Sequence, residues 1–368
     1  MANTTTVVEK WNTRGDGLDK LVRSSGPMPQ PGKNEVLVQI KAVSLNFRDT
    51  EVIMGLYNHH KTIDAPPEDP FVPCSDMCGV VVAIGDQDPS STAWKVGDRV
   101  LSTFIQSHVT GQITAADMTN GLGRPLDGVL QTYRVFPSSG LVRCPDYLTD
   151  EEASCLPIAA VTAWMSLYAP TAGKRLGGGD NLKGKVVLLQ GTGGVSIAGL
   201  QIAKAAGATV VITSSSDEKL ARAKALGADH LINYRADPEW QETVMALTGG
   251  KGADVIFETG GAQTLYRSLD CVAFGGLIAC IGYLSGKEDA PGSRMNLNLL
   301  ALRRNVTLKG IIVGPRDVFE GEMMPFYEQA RIKPVVDRVF GFDEGKEAVK
   351  YLFGGGHFGK VVVRVGRD

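Results

Sequence analysis

The chain has 368 residues, more than one hydrophobic core usually holds, so two domains are expected. Hydrophobic residues make up 43% and charged residues 21%, an ordinary globular composition. Lys+Arg 38 against Asp+Glu 40 leaves a net charge of −2, without the basic excess that nucleic acid or an anionic membrane surface requires, and no apolar run reaches the length of a membrane span.

From the amino terminus, Met1–Thr6 has no basic segment followed by an apolar one, so no secretory signal is expected. Over 35–43, Val36, Val38, Ile40 and Ala42 share one face and Gln39 and Lys41 the other, with Leu37 breaking the alternation. That pattern predicts an antiparallel strand with one wet face. Segments 78–85 and 97–101 are further strand signals bounded by turns, and short strands with little helix predict a β-rich domain. The cysteines Cys74, Cys78, Cys144, Cys155, Cys271 and Cys280 form no C-x-x-C pair. Cys271 and Cys280 lie in apolar context as packed thiols, and a reducing, cytoplasmic compartment is expected. Segment 173–184, with Gly177–Gly179, reads as a loop or linker.

The most informative stretch follows. Val186–Gln190 is a short apolar strand, and Gly191-Thr192-Gly193-Gly194-Val195-Ser196 is a glycine-rich turn. An amphipathic helix runs from about Ile197 to Ala206, and 208–212 is a β-branched second strand. Strand, tight turn and helix N-terminus together form a pyrophosphate cradle. Gly191 permits the turn, and Gly193 lets the backbone approach the phosphate. A helix over 219–226 and strands over 230–234, 254–258 and 276–282 continue the alternation. Near-continuous apolar strands in β-α-β units predict a doubly wound parallel sheet covered on both faces. Gly260, Gly261 and Gly282 fall just after strand ends, where such sheets bind ligands. A last strand over 360–365 lies beyond the sheet domain, so the β-rich domain is built from both chain ends.

Several motifs together resemble a known family. Lys41-Ala42-Val43-Ser44-Leu45-Asn46-Phe47-Arg48-Asp49, the run 73–79, Val96–Val100, 156–164, the glycine turn and 356–362 occur in the order found in medium-chain dehydrogenase/reductases. The likeness is to the zinc-free branch of quinone oxidoreductases and enoyl reductases. It implies an α/β Rossmann dinucleotide-binding domain (157–315) inserted in a β-rich GroES-like catalytic domain (1–156 and 316–368). It also implies a small-molecule substrate and a homodimer, with the apolar strand 277–281 extending its sheet across a two-fold axis.

The zinc-dependent branch uses three ligands around an open coordination position. Aligned to that pattern, the ligand positions carry Asn46, Ser75 and Ile158, none of them Cys or His. Residues 101–137 hold no cysteine for a structural zinc lobe, and Cys74 and Cys78 lack further partners. His59–His60 reads as a solvated loop pair. Neither a catalytic nor a structural zinc is expected. Without a Lewis acid, a conjugated acceptor that spreads developing charge is the favoured substrate: a quinone or an α,β-unsaturated carbonyl. A zinc-free alcohol dehydrogenase or ketone reductase, or an NADPH-binding protein with little turnover, are the alternatives.

For the cofactor, the resemblance implies that Gly191, Thr192, Gly193, Gly194 and Val195 cradle the pyrophosphate, Ser196 standing where the third glycine usually is. The second strand ends in Thr213–Ser216 where an NAD enzyme has a carboxylate. Ser215, Lys219 and Tyr234 are the implied contacts of a 2′-phosphate, so NADPH is expected over NADH. Asp217 is discordant: it either reaches a ribose hydroxyl or belongs, with Ser216, to a helix cap. Asn46, Thr162, Thr259, Gly260, Gly282, Tyr283, Gly314, Phe358, Gly359 and Lys360 complete the implied cofactor set. Lys360 either bonds the cofactor or is a surface lysine. Asn46, Tyr57 and Thr162 are the implied catalytic residues: Asn46 as an amide donor or a turn hydrogen bond, Tyr57 as a proton donor or a packing lid. Glu51 falls where some quinone reductases carry a second tyrosine. Arg48 and Asp49 lie one helical turn from neighbours able to pair with them and read as structural. Segments 57–71 and 106–128 are expected to wall the pocket, with Arg316 facing either the cleft or a surface acid.

Overall fold

The computed structural model describes residues 7–58, 67, 69–86, 88, 94–168, 170–171, 174–175, 182–288 and 296–365. The His59–His60 pair, Gly177–Gly179 and much of the 57–71 wall lie outside these. The chain divides into two compact units, 1–159 with 314–368, and 160–313.

In the first unit, β1 (Val7–Asn12) and β2 (Val22–Pro27) form an antiparallel ribbon. β3 (Glu35–Leu45) is the spine of a larger sheet that includes β4 (Asp76–Ile84), β5 (Arg99–Ser102), β6 (Tyr133–Pro137) and β7 (Leu141–Arg143). Leu37 interrupts the alternation because the β3–β4 register shifts between Leu37 and Val38, so three consecutive residues are buried there. After β3 comes α1 (Phe47–Ile53), and after β7 comes α2 (Asp150–Ser154), whose Thr149 cap accepts from the Glu152 N–H.

The second unit contains α3 (Val161–Tyr168) and a two-residue antiparallel pair, β8 (Pro170–Thr171) with β9 (Lys174–Arg175). Strand β9 falls in the stretch expected to be loop, because a pair this short leaves no periodicity to read. Next come β10 (Val186–Gln190), α4 (Gly194–Ala205), β11 (Thr209–Ser214), α5 (Asp217–Ala225), β12 (His230–Asn233) and α6 (Trp240–Leu247). β13 (Ala253–Glu258), α7 (Leu265–Cys271), β14 (Val272–Cys280), α8 (Leu297–Arg304) and β15 (Thr307–Gly310) follow. All six strands from β10 to β15 without the short pair are parallel, in the order β12-β11-β10-β13-β14-β15. This is the doubly wound sheet expected, and its order reverses between β10 and β13, which opens the ligand crevice at their carboxyl ends.

One expectation is corrected here. The strand at 277–281 cannot extend the sheet across a two-fold axis. Leu277 pairs with Val255 on one side and Thr307 on the other, so β14 is interior and the exposed edge is β15.

The chain then returns to the first unit with α9 (Arg316–Val318), α10 (Met324–Ala330), β16 (Val336–Gly341), α11 (Gly345–Phe353) and β17 (Lys360–Arg364). β17 runs antiparallel to β3 and parallel to β16, completing the GroES-like sheet from both chain ends. Each unit has its own core: Val38, Ile40, Phe136, Phe340 and Val363 in the first, Leu188, Val211, Ile256 and Ile278 in the second. Among the described residues no helix is long and apolar enough to cross a membrane.

Candidate nucleotide and active site

In the second unit, Gly191, Ser215, Tyr234, Thr259 and Gly282 follow the carboxyl ends of β10, β11, β12, β13 and β14. β10 ends at Gln190, and Gly191 turns the chain with φ +75°. A Cβ placed on Gly191 or Gly193 would meet no atom within 4 Å, so the backbone there borders open space. α4 starts at Gly194 without a side-chain cap, leaving its first N–H groups available to an anion. Ser196 is buried where α4 meets the end of β10, a small residue at the close approach that its place in the motif suggests. Its hydroxyl donates back to the Gln190 carbonyl at 2.7 Å. A second tight approach is at Gly199, where a Cβ would stand 2.6 Å from the Phe257 ring and 3.3 Å from Leu189.

The end of β11 carries Ser214, Ser215 and Ser216. Ser216 caps α5, accepting from the Lys219 N–H at 3.3 Å. Asp217 is bonded by the Asn233 amide at 2.7 Å. Tyr234 donates its backbone N–H to Ser214 at 3.0 Å, so the β11–β12 register sets Tyr234 beside the Ser215 turn, with Lys219 in the first turn of α5.

Sequence reasoning missed Gln190 and Glu258. The Gln190 amide donates to Glu258 at 2.7 Å and to Ser268 at 2.9 Å, and its oxygen accepts from the N–H groups of Thr259 and Gly260, each at 3.1 Å. Buried Glu258 accepts from the N–H groups of Gly260 (3.0 Å) and Gly261 (2.9 Å) and from Thr264 and Ser268, both at 2.5 Å. These two side chains fix the loop after β13, where Thr259 and Gly260 sit. Beyond β14, Gly282 packs so that a Cβ would lie 3.0 Å from the Thr259 carbonyl, and Tyr283 follows it. Thr162 is buried in α3, its carbonyl accepting from Ser166 at 2.7 Å.

In the first unit, three adjacent strands bring polar groups to one end of the sheet. Val361 on β17 faces Leu45 on β3, so Lys360 meets Asn46. Asp76 on β4 faces Ser44. Lys360 is not a surface lysine: it is 5% exposed and donates to the Leu45 carbonyl at 2.7 Å and to Asn46 Oδ1 at 2.6 Å. Fully buried Asp76 accepts from the Ser75 hydroxyl at 2.8 Å and the Ile158 N–H at 3.1 Å. Burial raises its carboxyl above the ordinary value, while the Lys360 charge and polar contacts from Asn46 and Ser75 pull it back.

Arg48 and Asp49 pair with each other at 3.0 Å. Asp49 also accepts the Asn46 N–H, one turn back, at 2.8 Å with its other oxygen. Burial raises the Asp49 carboxyl to about 6, against the Arg48 charge. The Arg48 guanidinium lies over the Tyr57 ring (4.9 Å to its centroid) and over the Phe104 ring (4.8 Å). Phe358 is buried, Gly359 takes φ +81° before β17, and Gly314 opens the return segment. Arg316 donates to the Leu141 carbonyl and pairs with Glu320, each at 2.8 Å, which settles it as a structural side chain.

Residues 194–329 match the zinc-binding dehydrogenase family, and residues 32–146 match the alcohol dehydrogenase GroES-like domain. A zinc-type alcohol dehydrogenase-like protein of Schizosaccharomyces pombe is 40% identical over 352 residues, covering 95% of this chain and 96% of its own length. A solved NAD-dependent alcohol dehydrogenase is 32% identical with a TM-score of 0.81, over 97% of this chain and 100% of that one. A quinone oxidoreductase of Pseudomonas syringae pv. Tomato DC3000 superposes at 0.77 with 26% identity and the same coverage. The chain belongs to the medium-chain dehydrogenase/reductase family. This dehydrogenase/reductase is an oxidoreductase, and its family uses a nicotinamide cofactor.

The residues present fit that cofactor: open space over Gly191 and Gly193 and an uncapped α4 suit a pyrophosphate. They fit zinc poorly. Asn46 Oδ1 is taken by an ammonium, the Ser75 hydroxyl by a carboxylate, and Ile158 is aliphatic. The nearby thiols are no better. Burial pushes Cys74 well above the usual thiol range and Cys155 to about 11, and neither stands at one of the three aligned ligand positions. Among the described residues, no group of three or more His, Cys, Asp or Glu converges to hold a metal.

Proposed function

We propose that this dehydrogenase/reductase uses NADPH to reduce a quinone or an activated double bond without zinc. The observation that carries this reading is the occupation of the metal-ligand positions by Asn46, Ser75 and Ile158, tied into contacts with Lys360 and Asp76. When bound, the nicotinamide supplies the hydride. Gly191, Thr192, Gly193, Gly194 and Val195 receive the pyrophosphate through backbone groups, and Gln190 and Glu258 hold Thr259 and Gly260 in place for the nicotinamide end. Thr162, Gly282 and Tyr283 of the second unit, and Gly314, Phe358 and Gly359 of the first, are the further residues proposed for the cofactor. Ser215, Lys219 and Tyr234 favour a 2′-phosphate, because hydroxyls and an ammonium bind it where a carboxylate would repel it. Asp217, bonded to Asn233, does not oppose it.

The Asn46 carboxamide orients the reacting carbonyl region, and Tyr57, stacked on Arg48, holds a proton at its phenol oxygen for the developing oxyanion. With hydrogen-bond donors alone, conjugated acceptors are favoured over simple ketones. The test is NADPH and NADH consumption across matched quinones, enones and saturated ketones. Reduction of enones or quinones with NADPH supports the reading. Turnover confined to saturated ketones or alcohols supports a zinc-free alcohol dehydrogenase, the reading favoured by the NAD-dependent neighbour's name. Tight NADPH binding without turnover supports a binding protein.

The same reading extends to assembly and compartment. Among the described residues β15 ends the strand order, and α8, which packs against β14, carries Leu299 and Leu302 57% and 73% exposed. That apolar face supports a homodimer formed there. All six cysteines are free, which supports a cytoplasmic setting.

A further inference from the structure

The cluster at the ends of β17, β3 and β4 has an electrostatic composition that the metal-free reading alone does not explain. Its ionisable members are Lys360, Arg48, Asp76 and Asp49, every one of them buried. By count the two basic side chains match the two acidic ones. The thiols that face them, Cys74 and Cys155, stay protonated and add no charge. A divalent ion would add two positive charges to a desolvated pocket whose remaining donors, Asn46, Ser75 and backbone groups, are neutral. The Arg48 charge is already used by Asp49 at 3.0 Å. The Lys360 charge is the strongest pull against burial at Asp76, and Arg48 acts on that carboxylate more weakly. Its ammonium is fixed by two oxygens, Leu45 O at 2.7 Å and Asn46 Oδ1 at 2.6 Å, rather than by solvent.

We propose that the Lys360 ammonium is the resident cation of this site, taking the electrostatic place that a metal ion holds in the zinc-binding branch, fixing the Asn46 carboxamide and offsetting the buried Asp76 carboxylate. Lys360 is a positioning residue, acting through Asn46. The inference rests on the metal-free reading and deepens it: the site is built around an organic cation and has no need of a metal one. It follows that deleting the ammonium leaves the buried Asp76 carboxylate with its hydrogen bonds from Ser75 and Ile158 but without its main counter-charge, and that the deficit is one of charge rather than of volume.

The full-length protein tests this in two arms. In the first, thermal unfolding is compared for wild type, K360M, D76N and K360M/D76N. K360M keeps the aliphatic volume and should lose about 10 °C in Tm. Adding D76N should return at least half of that loss, and should return soluble protein if K360M alone fails to fold. In the second arm, K360A is unfolded in n-propylammonium and in n-propanol, which differ only in the charged head. The ammonium should raise Tm and the alcohol should not. Additive effects of K360M and D76N, or equal rescue by propanol, would overturn the assignment of Lys360 while leaving the metal-free reading standing. Stoichiometric zinc in the wild-type protein, measured by elemental analysis, would overturn the metal-free reading itself.

Discussion

Lys219 and Asp49 show how much a single side chain can be asked to decide. If Lys219 binds a 2′-phosphate, Lys219→Ala should raise KM for NADPH about 10-fold or more and leave KM for NADH nearly unchanged, because a charge-assisted hydrogen bond is worth about 1.5–3 kcal/mol. Steady-state kinetics with both coenzymes checks this, and an equal effect on the two would remove the phosphate contact. Asp49 makes a prediction in pH. Its carboxyl titrates at about 6 in the folded protein against an ordinary 3.8, so the folded state holds that proton more tightly. The stability from this group is complete below about pH 4 and is lost as pH rises through about 6. Asp49→Asn should flatten that part of a Tm–pH profile, while an unchanged slope would show that another group sets it. At this scale the sequence was only partly readable. The glycine turn is legible because its meaning is local: a sharp turn, a near backbone and a helix start within six residues. Gln190 and Glu258 are illegible because the contact between them spans 68 residues. The role of Lys360 is illegible because its partner, Asn46, is 314 residues away and is set by strand register.

The elements were legible where their pattern is long. The alternation over β3 and the apolar runs of β10, β11, β13 and β14 carry enough period to be read. β15 was missed because four residues, Thr307–Gly310, hold too little pattern, and that omission made β14 look like an edge. The consequence is testable on α8. Charging both exposed leucines, as in L299E/L302E, should convert a dimer to a monomer by light scattering with little change in Tm, whereas an unchanged mass would remove this face from the proposed dimer contact. Packing makes a second prediction at this scale. Gly199 is the point where α4 meets β10 and β13, and its Cβ would fall 2.6 Å from the Phe257 ring. Gly199→Val should destabilise the protein by about 1–3 kcal/mol through overpacking, seen as a lower midpoint in urea. A neutral effect would mean that the ring moves aside.

For the whole molecule, each unit carries its own polar feature. The parallel sheet of 160–313 offers an open glycine cradle, and the GroES-like sheet of 1–159 with 314–368 offers a buried, charge-balanced cluster built from both chain ends. The fold class was legible in the sequence because it repeats one β-α-β signal several times. The character of the cluster was legible only as an absence of Cys and His at three positions, since what fills them is decided by β17 lying against β3. The central claim is that these parts deliver hydride from NADPH to a conjugated acceptor with no metal ion. It is tested most directly by the rate of NADPH oxidation with an enone and with its saturated ketone, using protein dialysed against a chelator and analysed for metal. The account predicts enone reduction undiminished by dialysis and little reaction with the ketone; reaction with the ketone alone, abolished by dialysis and restored by zinc, would contradict it.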